Sequence, residues 1–105
     1  MKIRSVLILT ACAAFPLVAL AQEPATQAFA AAMDKMMTGM HMEATGDADK
    51  DFAMMMIPHH QGAIDMAKAE LEYGDDPQMR AMAEKVIEAQ EKEIAELEEW
   101  LQKHP

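Results

Sequence analysis

The chain has 105 residues, among them 12 methionines and a single cysteine, and its 18 Asp and Glu outweigh 9 Lys and Arg for a formal net charge of −9. A charge of that sign excludes nucleic acid and anionic membrane surfaces as natural partners and favours cations or basic proteins. One cysteine permits neither an internal disulfide nor a multi-thiolate metal site.

In chain order, Lys2 and Arg4 precede an apolar stretch from Val6 to Leu20 that closes in Ala19-Leu20-Ala21, the small-x-small pattern cleaved in secretory leaders. Residues 1–21 therefore read as a cleaved signal peptide and residues 22–105 as one helical domain, periplasmic or secreted. A competing reading takes Leu9-Thr10-Ala11-Cys12 as a lipobox, with a lipidated Cys12 as the N-terminus. The apolar stretch is shorter than the roughly 20 residues needed to span a bilayer, so no membrane span is expected. Cleavage removes Cys12 and with it any thiol redox role.

The domain is expected to be all-α, with three helices over about residues 26–42, 50–73 and 76–103. The first is rich in Ala and Met, Gly39 weakens its end, and the Glu43 to Asp49 stretch reads as a polar loop. Asp49 or Asp51 suits the N-cap or first turn of the second helix, and Gly74 stops it. In the third, Asp75 or Asp76 caps and Pro77 takes the first helical position. Its stripe of Ala83, Ile87, Gln90, Ile94, Leu97 and Leu101 has heptad-like spacing, widened by Val86 and Trp100. Gln90, the polar member, is expected to hydrogen-bond a backbone group or a histidine inside the bundle.

On a wheel of about 100° per residue, Phe52, Met56, His59, Ala63, Met66 and Ala67 share one arc, flanked by Met55 and Tyr73 on one side and His60 on the other. That arc reads as the buried face, with His59 near its centre. Met54, Gln61, Asp65, Lys68 and Glu72 lie opposite and face water. Pro58 removes one backbone hydrogen bond and bends the helix beside the His pair.

Thioether sulfur and imidazole suit Cu(I), and Ag(I) for the same softness, whereas carboxylate and water suit Mg, Ca or Mn. Met55 and His59, or Met56 and His60, stand one turn apart, and Met66 lies two turns beyond His59. The first helix offers Met33, Met36, Met37, Met40, His41 and Met42, of which Met33, Met37, Met40 and His41 share a face. The metal-ligand candidates are therefore His59, His60, Met55, Met56, Met66, Met37, Met40 and His41, with Gln90 behind a histidine. Acidic neighbours leave Cu(II) open as well as Cu(I). Methionine is also an adaptable core filler, and packing is the expected role of Met79 and Met82; His104 at the C-terminus has none.

Catalysis is not expected. A di-iron site would need a Glu three residues before a histidine, and none precedes His41, His59 or His60 in that register. No hydroxyl nucleophile stands with a base and an orienting group, so no hydrolase is expected. The alternative to metal binding is a metal-free envelope adaptor or chaperone-like protein that uses methionines as an adaptable surface.

Phe52, the run Met56-Ile-Pro-His-His-Gln-Gly-Ala-Ile-Asp-Met-Ala67, then Ala83, Ile87, Gln90, Glu93-Ile94 and Trp100-Leu101 together resemble the domain of unknown function 305 (DUF305) family, which includes CopM-like periplasmic copper-binding proteins. The resemblance runs from about Asp51 to Leu101. It implies a ferritin-like helical bundle, a secreted copper-binding role linked to copper resistance or transport proteins, and His59, His60, Met56 and Met66 on the family's Met and His motif. Leu97 departs from it, standing where a methionine is expected, so a site using that sulfur is lost or moved. With three helices rather than four or more, the chain is short for the family, and a homodimer would complete the bundle.

Overall fold

A computed structural model describes residues 18–105, with side chains from Glu23 onward; residues 1–17, which hold most of the expected leader and Cys12, lie outside the described residues. Three helices follow one another: α1 (Val18–Met40), α2 (Ala48–Tyr73) and α3 (Pro77–Lys103). Among the described residues there are no strands, and no helix is long and apolar enough to cross a membrane.

Helix α1 starts earlier than expected, running unbroken through Pro24 from Val18. Pro24 costs one amide in the second turn, and the Ala-rich run on either side sustains the helix around it. It ends at Met40 rather than Met42, where the His41 amide closes the last turn on the Met37 and Thr38 carbonyls.

Helix α2 is capped by Asp47, not by Asp49 or Asp51: its carboxylate accepts from the Asp49 and Lys50 amides. Asp49 and Asp51 occupy the first turn instead, where negative charge meets the positive end of the helix. Asp51 has a second task. It reaches back to accept from the amide and hydroxyl of Thr45 at 2.8 and 2.7 Å, folding the preceding loop onto the helix start. The Thr45 amide, followed by the Thr45 hydroxyl, holds the Asp51 carboxyl below its ordinary value.

Gly74 ends α2 as expected, although in an extended rather than left-handed conformation. The exposed carbonyls are met by Arg80, which donates to Leu71 O at 2.7 Å and Gly74 O at 2.9 Å. Asp76 then caps α3 by accepting from the Met79 amide, with Pro77 at the first position. Cap and guanidinium together fix the turn between α2 and α3.

Helix α2 is the middle element. It packs against α1 and against α3, and among the described residues those two make no packing contact with each other. The buried residues of α2 are Ala53, His60, Gly62, Ile64, Ala67 and Ala69. At about 100° per residue, Ala53, His60, Ile64 and Ala67 form one arc, with Gly62 and Ala69 roughly opposite. The first arc meets α3, as the His60 to Glu93 hydrogen bond establishes. The second meets α1, where a Cβ on Gly62 would stand 2.7 Å from Met36 Cβ and one on Gly39 would stand 2.7 Å from Pro58 Cβ. Glycine at these two positions lets the α1 and α2 backbones approach closely.

This corrects the expectation of a single buried face. A helix flanked on opposite sides hides two narrow arcs, and the broad apolar arc between them stays open. His59 is accordingly exposed and His60, expected at the edge, is buried at 7% exposure. Among the described residues the core consists of Ala32, Ala53, Ile64, Ala67, Ala69 and Ala83, and no large side chain is fully buried.

Candidate functional site: an exposed methionine face

The two gaps between the seams of α2 differ in chemistry. One carries Lys50, Met54, Ile57, Gln61, Asp65, Lys68 and Glu72. The other carries Phe52, Met55, Met56, His59, Ala63, Met66 and Tyr73, with Glu70 among them and Asp49 lining the cleft beside Phe52. The flanking helices extend this division. Lys35 of α1 pairs with Asp65 at 3.7 Å and so marks the charged side. Phe29, Met33, Met37 and Met40 lie around the helix from Lys35, on the side of His59. On α3, Met79, Met82 and Val86 line a cleft with Ala63 and Met66, and Trp100 lines another with Phe52.

Among the described residues nine large apolar side chains are exposed, and helical spacing sets all but Met54 toward this side. Phe52 is 61% exposed and Met37 58%, too much to be packing residues of the isolated chain. A contiguous field of this kind marks an interaction or ligand surface rather than ordinary surface scatter.

The expected ligands separate into groups. Met55, Met56 and His59 stand together on α2, one turn apart. The contacts of Gly39 with Pro58 and of Met36 with Gly62 set the Met33 to Met40 stretch of α1 alongside them. Met37 and Met40 thus border the same part of the face as His59. His41 follows the end of α1 and is exposed.

His60 stands apart. Its Nε2 donates to Glu93 Oε2 at 2.5 Å, and its Nδ1 is buried without a partner. A neutral imidazole protonated at Nε2 fits both facts, because it leaves only a lone pair in the apolar seam. In this arrangement His60 joins α2 to α3, and its two nitrogens are not offered to the open face. The rings of His59 and His60 lie 6.0 Å apart, centre to centre.

The α3 residue that meets the buried histidine is Glu93, three positions beyond Gln90. Glu93 carries its carboxylate to the seam from a half-exposed position. Met79 and Met82, expected to pack, are both exposed. Their proximity to Val86 on a helical stripe hid the fact that the stripe extends past the edge of α2.

Among the described residues, no three His, Cys, Asp or Glu side chains are grouped closely enough to hold a metal ion. The clustered donors are thioethers, with His59 among them. At the end of the face, the neighbouring Glu72 carboxylate is the main cause that raises Tyr73 above the usual phenol range.

An all-α chain whose three helices support a surface field of methionines is the class that fold and site define. The chain belongs to the family described as Domain of unknown function (DUF305), which matches residues 13–101. That match takes in α1 as well as the stretch beyond Asp51 that carries the motif. No match was found among curated proteins.

Proposed function

We propose that the protein is a periplasmic or secreted binder of soft metal ions, Cu(I) and Ag(I), acting in copper buffering, transfer or tolerance rather than in catalysis. One observation carries this: most of the thioethers, with His59, occupy the open face while most charges of α2 occupy the other. Soft neutral donors favour Cu(I) over Zn(II) or Mg(II). His59 with Met55 and Met56 would hold the ion from α2, and Met37 and Met40 would supply sulfur from α1. Proteins of copper transport or resistance are the fitting partners for such a carrier. The test is anaerobic competition for Cu(I) against a chromophoric chelator, with Zn(II) in parallel. Saturable Cu(I) binding without comparable Zn(II) binding is expected, and no binding above the chelator background would overturn the proposal.

The same proposal includes a ferritin-like bundle completed by a second copy. Its support is a core of alanines and one isoleucine beside an uncovered apolar face, since chains this small seldom fold stably on so little buried surface. A face about 39 Å long on a 26-residue α2 and two helix spacings of about 9 Å wide gives a footprint of roughly 700 Å², close to the ~800 Å² per partner of standard interfaces. Sedimentation at micromolar concentration is expected to give twice the chain mass. A monomer there would leave the face to a different protein, the adaptor reading that adaptable methionine surfaces favour.

A further inference from the structure

Met66 cannot simply be added to the His59 group. The two residues are separated by about 10 Å along α2, at 1.5 Å per residue, and each side chain leans toward the helix N-terminus, so His59 leans away from Met66. The structure places Met66 elsewhere, in the cleft between α2 and α3 with Met79 and Met82. Met79 and Met82 are 42% and 53% exposed, so neither serves the core. The floor of the cleft is Ala63, Ala67 and Ala83, small enough to leave room among the three thioethers, and Glu70 at its edge supplies negative charge.

We infer that Met66, Met79 and Met82 form a second soft-cation site, separate from the His59 group and made of thioether sulfur alone. Three sulfurs from two helices offer a monovalent d10 ion donors matched to its softness, and such an ion imposes little directional demand. Hard divalent ions gain nothing from thioethers, and one carboxylate does not provide the oxygen-rich shell that they need. The site rests on the soft-metal proposal above but uses residues outside the His59 group.

The experiment is a titration of the full chain, labelled with 13C at the methionine methyls, with Ag(I) as a probe that does not change oxidation state. The methyl signals of Met66, Met79 and Met82 are expected to shift together. The conservative double variant Met79→Leu, Met82→Leu is expected to bind one equivalent less Ag(I), or to bind that equivalent at least tenfold more weakly, while His59→Ala keeps it. Shifts at Met55 and Met56 with none at Met66, Met79 and Met82 would overturn this site and leave the His59 site standing. No methyl shift anywhere would overturn both.

Discussion

Against α1, helix α2 offers Gly62 and Pro58 to Met36 and Gly39, and the two backbones come as close as glycine allows. Against α3 it offers Ala53, His60, Ile64 and Ala67, and the seam is fastened by a hydrogen-bonded imidazole and carboxylate, with Arg80 bridging the turn. The first seam is steric and depends on missing side chains. The second is polar and depends on particular side chains being present. Substitutions should therefore act oppositely, with enlargement damaging the α1 side and truncation the α3 side.

The largest effect is expected from Gly62→Leu. Its Cβ would meet Met36 Cβ at 2.7 Å and Met36 Cγ at 2.8 Å, and overpacking of this kind costs about 1–3 kcal/mol even though glycine is itself a poor helix former. Urea unfolding would read the loss, and an unchanged midpoint would show that α1 does not pack as described.

The histidine pair sharpens the contrast within two adjacent residues. His60→Ala removes the buried bond to Glu93 and is expected to cost about 1–2 kcal/mol, whereas His59→Ala should stay within about 0.5 kcal/mol, as for other surface positions. Metal affinity should follow the reverse order: His59→Ala combined with Met56→Leu is expected to weaken Cu(I) binding at least tenfold, about 1.4 kcal/mol, with helicity intact. If His59→Ala proved the more destabilising change, the assignment of faces would be inverted.

A smaller effect separates the acidic residues at the start of α2. Asp47→Ala should cost about 1 kcal/mol as a lost N-cap, and Asp49→Ala distinctly less, in thermal melts by circular dichroism. Asp51 gives the smallest signal. Because its folded value is depressed below 3.8, its contribution is present above the unfolded value and is lost as pH falls through the folded one. The amide resonances of Thr45 and Gly46 should titrate with a midpoint below that of an ordinary aspartate, and an unshifted or raised midpoint would break the loop assignment.

Local chemistry made the ends of α3 legible: Asp76, Pro77 and the run of helix formers to Lys103 behave as their types dictate. The start of α2 was harder, because Asp47, Asp49 and Asp51 are each competent caps and only the return of the Thr45 loop decides among them. The apolar arc of α2 was also legible, and its covering was not. Hydrophobic periodicity identifies a face, but flanking helices here approach from the two sides of that face. His59 and His60 consequently exchanged roles, and Met79 and Met82 passed from filler to surface.

Since among the described residues α1 and α3 meet only through α2, the free energy of the molecule resembles that of a linear array with nearest-neighbour couplings. Opening of an outer helix then breaks one seam and leaves the other intact, so cooperativity should be graded rather than all-or-none. Native-state hydrogen exchange would find α1 in a sub-global unfolding event below that of α3, whose seam holds the His60 to Glu93 hydrogen bond. An ion held jointly by α1 and α2 would raise that event alone, by mass action on the closed form. Metal would then set how much of the chain is folded at its N-terminal end, while the α2 and α3 hairpin persists with or without it.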